Sequence, residues 1–405
     1  MGMHVVIVGS GVAGVTAARF LRMNNPTVKI SIYTDENHLF YPRPRLYEVL
    51  SGEASPREIY MFSEQWYEER GITVHLKKKV MGVETAQKQL TLEDHSKVNY
   101  DKVLLANGAN PFIPPIKGVE KTGVFALRSI RDALTIREYA KQTRKTIIIG
   151  GGLLGLEFAA SLKKLGQQVE VVEIFPRLLP RQLDHDGAAI FKERIEIRGI
   201  KVVLGVRTEE ILGKKTVSGI SLDTGKELSG SLVLISAGVR SNTDLAAEAG
   251  IRVEKGVVVN QYLQTSVNDV YAAGDVAEFK GRVYGIIPAA LEQARISAIN
   301  MGEGEKQVYF GTIPSALLKI IGIDLTSMGL VNPEGPQYEE IKKVNKETGV
   351  YKKLVLEQGT IVGAILLGGR RGATWIKQLM DQKIDVTTYG KSLLDDDFDY
   401  RKIFS

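Results

Sequence analysis

Two glycine fingerprints constrain this chain more than any other feature. Gly9, Gly11 and Gly14 follow the apolar run HVVIV, and Gly150, Gly152 and Gly155 follow TIII. Each GxGxxG lies where a strand-like run gives way to a helix-like one, VTAARFLRM in the first case and LLGLEFAASLKKLG in the second. In a βαβ unit the first glycine makes the tight turn. The second lets backbone approach a pyrophosphate, and the third lets helix and strand pack closely. Free N–H groups and the helix dipole at the helix N-terminus then hold the anion. One such motif is weak evidence. Two, each followed by an acidic site, predict two dinucleotides on one chain and an α/β fold with two Rossmann-like domains.

The acid that accepts hydrogen bonds from an adenosine ribose is expected at the end of the following strand. In the first unit VKISIYTDE ends at Asp35 and Glu36. Asp35 is the favoured ribose ligand and Glu36 the alternative, while Thr34 competes for the same seat. In the second unit QVEVVE ends in Glu173. A carboxylate there favours a free 2′-hydroxyl and repels a 2′-phosphate, which selects NADH over NADPH. Arg177 and Arg181 follow in FPRLLPRQLD and pull the other way. A third signal, Tyr271-Ala-Ala-Gly-Asp275, closes the middle of the chain.

At 405 residues the chain has room for two or three domains. Its 44% apolar and 25% charged composition fits a globular protein, and no apolar stretch reaches the length of a membrane span. MGMHVVIVGSG enters a motif at once and reads as a strand instead of a signal peptide, so a cytoplasmic location is expected. The net charge of +6 suits solubility or a basic face for an acidic partner. Nucleic acid is a poor fit, because no basic run carries interleaved aromatics. The absence of cysteine excludes a disulfide, a thiolate nucleophile, an iron–sulfur cluster or a Cys-ligated zinc within this chain. His4, His38, His75, His95 and His185 show no metal-ligand spacing.

The three signals together resemble the FAD-dependent pyridine nucleotide-disulfide oxidoreductases. Within them the chain looks most like the NADH:rubredoxin and ferredoxin reductases and the flavin portion of nitrite reductase-like proteins. YPRPRL, LLANGA, LISAGVRSNTDL, TSVNDVYAAGDVAEF, PAALEQARISAINM and SALLKIIGIDLTSMG each resemble family segments, in the family's order. The resemblance implies an NAD domain inserted into an FAD domain, plus a small C-terminal α/β interface domain. Residues 1–112 and 232–307 would form the FAD domain, 113–231 the NAD domain and 308–405 the third. It also implies cofactor contacts. Arg43 would lie along the flavin, Asn107 and Gly108 near the FAD pyrophosphate or the crossover, and Asp275 on the ribityl chain or phosphate. Pro288 and Ala289 would begin a helix pointing at the flavin. Val80 and Gly238 join the cofactor-binding set by the same resemblance.

Departures from the family pattern matter as well. Many relatives pair a lysine after the RPxLS segment with a glutamate after the second fingerprint. Here the glutamate is Glu157, expected to position the nicotinamide, but the lysine position holds Glu48. Two carboxylates in one low-dielectric pocket would raise one pKa; alternatively the pocket is wetter, Arg43 or Arg45 supplies the cation, or Glu48 points to solvent. The redox cysteine of the disulfide-reductase relatives is absent. Lys319 is expected at the surface, or near the flavin by the resemblance, and the acidic end Leu394-Asp-Asp-Asp-Phe-Asp-Tyr400 reads as a solvated tail rather than a docking segment. The resemblance implies an FAD-dependent NADH reductase that feeds a small acidic electron-transfer protein. A peroxide-forming oxidase, a flavin subunit of a larger dehydrogenase and an NADH-responsive binding protein stay open, as does a homodimer.

Overall fold

Short β-branched runs with few polar residues have no exposed face to offer, so they fold as interior parallel strands. The computed structural model describes residues 2–404, apart from the side chains of 317–320, so the Lys319 side chain lies outside the described residues. The chain divides into two units. The first holds the chain up to Leu46, then Ala54–Pro111 and Val239–Pro314; the second holds Tyr47–Glu53, Phe112–Gly238 and the chain from Ser315 onward.

In the first unit five strands form one parallel sheet in the order Val270–Ala272, Lys102–Leu105, His4–Val8, Lys29–Tyr33, Ile72–His75. Val5, Val6 and Ile7 are fully buried at its centre. The helices Val12–Asn24 and Ile287–Glu303 pack on it through Val15, Ala18, Leu21, Ala294 and Ala298. A three-stranded antiparallel meander, Val80–Glu84, Gln89–Leu92 and Lys97–Asn99, precedes the return to the sheet.

The second unit repeats the plan. Its parallel sheet runs Ile200–Leu204, Gln168–Glu173, Lys145–Ile149, Leu232–Ile235, Val124–Ala126. Its meander is Thr208–Leu212, Gly219–Leu222 and Glu227–Ser229. Leu232–Ile235 was expected to lead back into the first domain. It pairs instead with Lys145–Ile149 in the second sheet, and the chain crosses back only after Gly238. Residues 308–314, expected in the C-terminal domain, belong to the first unit, where Tyr309 is buried against Phe279.

The C-terminal part of the second unit is a five-stranded antiparallel sheet, in the order Ser315–Ile320, Ile323–Gly329, Thr360–Leu367, Val350–Glu357, Tyr338–Asn345. Successive side chains on a strand face opposite ways. Leu354 and Leu356 pack with Ile376 and Leu379 of the helix Ala373–Gln382. Tyr351 and Lys353 point to the other face, toward the N-terminus of the helix His185–Ile197. The acidic end does not behave as a solvated tail: Leu393, Leu394 and Tyr400 are buried in this core, and Asp396 pairs with Lys352 at 2.6 Å. The acids lie between apolar anchors, Leu394, Phe398 and Tyr400, so charge alone does not describe this segment.

Candidate dinucleotide sites

The two fingerprints fold alike. Gly9 and Gly150 adopt φ of 105° and 116°, a region that favours glycine. A Cβ on Gly9 would overlap the Ala106 carbonyl oxygen, and one on Gly150 the Ser236 carbonyl oxygen. A Cβ on Gly14 or Gly155 would strike the carbonyl oxygen of Gly9 or Gly150. Gly11 and Gly152, the N-caps of the helices Val12–Asn24 and Leu153–Lys164, face open space instead. Neither helix has a side-chain cap or an acid in its first turn, so the first-turn N–H groups are left for an anion. These residues fit a pyrophosphate in both cradles.

Strand register picks out one equivalent position beside each cradle, where a ribose-binding side chain is expected. Val8 pairs with Tyr33, and Ile149 pairs with Val172. Gly9 N donates to Tyr33 O just as Gly150 N donates to Val172 O, both at 2.8 Å. The residue after each acceptor is therefore the equivalent seat: Thr34 in the first cradle and Glu173 in the second. Glu173 is buried and accepts from Gly151 N at 2.6 Å and Phe175 N at 2.9 Å. Thr34 is buried too, and its hydroxyl accepts from Glu36 N at 3.3 Å. Asp35, the favoured ligand, is exposed. Glu36 is held by Arg43 in an ion pair and by the Tyr41 hydroxyl at 2.5 Å. Only the register, which the sequence does not display, separates Thr34 from its acidic neighbours.

The remaining predicted residues fall within the same two frameworks. Arg43 stacks over the Tyr41 ring at 4.9 Å while it pairs with Glu36. Val80 is buried in the apolar cluster that also holds Tyr33 and Leu92. Asn107 and Asn242 clasp each other: Asn107 Nδ2 donates to Asn242 O at 2.9 Å, and Asn242 Nδ2 donates to Asn107 O at 2.8 Å. The buried Asn107 Oδ1 has no protein partner, and an amide oxygen there suits a hydroxyl or a water, not a phosphate oxygen. Gly108, at φ 66°, accepts from Asn242 N, and Gly238, at φ 106°, accepts from Phe112 N. The half-buried Asp275 follows Gly274, at whose position a Cβ would come within 2.9 Å of Ala13. Its carbonyl accepts from Ser241 Oγ at 2.7 Å, and it caps no helix among the described residues. Pro288 occupies the first turn of Ile287–Glu303, where its missing N–H does no harm; the buried Ala289 follows, and that turn has no acid.

Glu157 lies two residues past the second fingerprint, one helical turn before Ser161. Ser161 Oγ donates to Glu157 O at 3.1 Å and to Tyr47 O at 3.0 Å, which ties the short helix Leu46–Ser51 to this helix. Lys164 adds an ion pair to Glu53 at 2.6 Å, and Arg137 donates to Val49 O at 3.2 Å. Burial pushes the Glu157 carboxyl up to about 7. Burial is the cause of this shift, not repulsion from Glu48. Tyr47, between the two acids, is raised above its ordinary value by burial, then by Glu48 and Glu157.

Sequence reasoning missed one group. The loop after Glu173 ends at Asp184, which caps His185–Ile197 through Gly187 N at 3.0 Å and binds Tyr351 and Lys353. The signals were present: an aspartate two residues before the Asp186-Gly187 pair, and YKK inside an otherwise apolar strand.

Two cradles of this kind, with an uncapped third helix at Ile287–Glu303, define a two-dinucleotide flavin fold. The chain belongs to the pyridine nucleotide-disulphide oxidoreductase family, whose profile matches residues 3–294. The rubredoxin NAD+ reductase C-terminal domain matches residues 314–384. The family implies FAD and NAD(P)H as cofactors. A nitrite reductase [NAD(P)H] of Bacillus subtilis is 36% identical over 389 residues, which cover 96% of this chain and 48% of that protein. An NADH-rubredoxin oxidoreductase of Clostridium acetobutylicum is 31% identical, covering 93% of this chain and 94% of that one. A ferredoxin reductase from Rhodopseudomonas palustris shares the fold at a TM-score of 0.89 and 24% identity, covering 99% of this chain and 100% of that one. The chain spans about half the length of the nitrite and nitrate reductase relatives it matches. No helix among the described residues is long and apolar enough to cross a membrane.

Proposed function

We propose that this chain takes hydride from NADH through FAD and passes the electrons to a small redox protein such as a rubredoxin or ferredoxin. The carrying observation is the pair of matched cradles with unlike seats, Thr34 in one and Glu173 in the other. The cradle of Gly9, Gly11 and Gly14 would hold the FAD pyrophosphate, and that of Gly150, Gly152 and Gly155 the NADH pyrophosphate. When bound, FAD supplies an acceptor for hydride and a donor of electrons to the next carrier. The protein's part is orientation and electrostatics.

Glu173 would accept the adenosine ribose hydroxyls of NADH. Its carboxylate, fixed by two backbone N–H groups, repels a 2′-phosphate. Arg177 does not offset this, because its guanidinium is turned to Pro180 O at 3.3 Å and to His185 Nε2 at 3.1 Å. Glu157, whose carboxyl burial pushes up to about 7, would donate to or accept from the nicotinamide carboxamide. The open first turn at Pro288 and Ala289 would stabilise negative charge on the flavin. Without cysteine this sequence offers no dithiol to relay electrons. The net charge of +6 favours an acidic carrier.

A second reading is supported by the half-length match to the nitrite and nitrate reductase relatives: the chain would be the flavin module of a larger reductase, delivering electrons to a centre beyond it. Rapid mixing of the NADH-reduced protein with rubredoxin, ferredoxin or air tests both. Reoxidation by a carrier at least about tenfold faster than by oxygen supports the first reading. Slow reoxidation by every free carrier moves the function to the module, and oxygen as the fastest acceptor makes the protein an oxidase.

A further inference from the structure

The loop between Glu173 and the helix His185–Ile197 is tied to the second fingerprint and to the C-terminal sheet at once. Gly151 is bonded on both sides: its N–H goes to Glu173 Oε2 at 2.6 Å, and its carbonyl accepts from Leu179 N at 3.2 Å. Leu178 presses so close that a Cβ on Gly151 would come within 2.6 Å of its methyl. Leu179 itself has φ of 50°, left-handed and unfavourable for a leucine. Such a conformation persists only where surrounding contacts over-determine it, and it gathers at functional sites. Leu178, Leu179 and Leu183 are fully buried.

Much of what holds this loop comes from the C-terminal sheet and from the loop after its strand Ile323–Gly329. Asn332 Nδ2 donates to Pro180 O at 3.2 Å and to Leu183 O at 3.3 Å, the two carbonyls flanking the tight turn. Tyr351 OH donates to Asp184 Oδ2 at 2.5 Å, and Lys353 Nζ reaches the same oxygen at 3.1 Å. Lys353 is 1% exposed and is neutralised on its other side by Glu340 at 2.6 Å. A buried lysine of this kind needs its partners in place, because an uncompensated buried charge is strongly destabilising. The loop end is therefore fixed by charge as well as by packing.

We propose that Asn332, Tyr351 and Lys353 are positioning residues for the adenosine end of the NADH site. Through Asp184, Pro180 and Leu183 they hold Leu179 on Gly151, and Gly151 holds the Glu173 carboxylate that reads the ribose. The C-terminal sheet thus sets nucleotide affinity without touching the nucleotide. The inference rests on reading the second cradle as the NADH site.

The test uses the FAD-loaded full chain with Asn332→Ala and Tyr351→Phe, which remove hydrogen bonds but little or no ring packing. Asp396→Asn is the control: it removes the partner of Lys352, on the opposite face of the same strand. Backbone hydrogen exchange at Leu179 and Leu183, the equilibrium Kd for NADH, and kcat with an artificial acceptor are read together. Both variants should exchange at these amides about tenfold faster and bind NADH about fivefold more weakly, with FAD content unchanged and kcat within about twofold. The control should match the parent in all four. Unchanged NADH affinity in both variants of a parent that binds NADH overturns the inference alone, as does joint loss of FAD and kcat. A parent that binds no NADH overturns the reading of the cradle as well.

Discussion

The first and second cradles are near copies in backbone and differ in one seat, and the proposed assignment of ligands turns on that difference. Both place a left-handed glycine against a carbonyl, a second glycine facing open space and a third against the first. In the second, Glu173 fills the seat and Gly151 beside it has no room for a side chain. In the first, the equivalent pair is Thr34 and Ser10, so side-chain volume has moved from the seat to the turn. A backbone cradle suits any pyrophosphate, and FAD and NADH carry the same adenosine, so the seat bears only on whether a 2′-phosphate is admitted. The second cradle carries fixed negative charge, and the first carries a hydroxyl with its neighbouring acid bound to Arg43.

The sharpest way to break the comparison is at the first glycine of each cradle. Gly150→Ala forces a Cβ onto the Ser236 carbonyl and should weaken NADH binding about a hundredfold while the protein stays yellow. Gly9→Ala should do the reverse and cost the FAD. If either variant lost both ligands equally, the cradles would not be separate sites. Next comes the seat. Glu173→Gln removes a charged acceptor and should weaken NADH binding about tenfold or more while narrowing its advantage over NADPH. Equilibrium titration with both nucleotides checks this. Thr34→Val should weaken FAD binding by only about fivefold, as befits a neutral hydrogen bond; a loss as large as that at Glu173 would make the seats equivalent after all.

The smallest effect concerns Glu157. Burial raises its carboxyl from 4.5 to about 7, so between these values the folded protein binds more protons than the unfolded chain. Stability contributed by the protonated group is therefore present at the acid end and lost as pH rises from about 4.5 through 7. Glu157→Gln should flatten that part of the stability profile of the ligand-free protein and remove a break near pH 7 in kcat/KM for NADH. A break that survives the substitution assigns it to another group.

Much of this was legible in the sequence, for a physical reason. The glycine spacings report backbone approaches that no side chain tolerates, so the cradles could be read directly. The position equivalent to Glu173 could not: TDE offers Thr34, Asp35 and Glu36 in a row, and only pairing of Val8 with Tyr33 says which follows the strand. A boundary at residue 232 does not reveal that Leu232–Ile235 pairs with Lys145–Ile149, because parallel strands buried on both faces look alike whichever sheet they join. The acidic end was read by charge, although Leu394 and Tyr400 at its two limits are core residues. Nor could spacing reveal the Asp184–Lys353 pair, whose members are far apart in the chain and meet only through tertiary packing.

Anaerobic titration of the FAD-loaded protein with NADH and, separately, with NADPH tests the central claim most directly. Two cradles with unlike seats predict that about one equivalent of NADH bleaches the flavin's visible band, and that NADPH does so far less readily. Equal bleaching by the two nucleotides, or a yellow protein that NADH leaves unbleached, would contradict it.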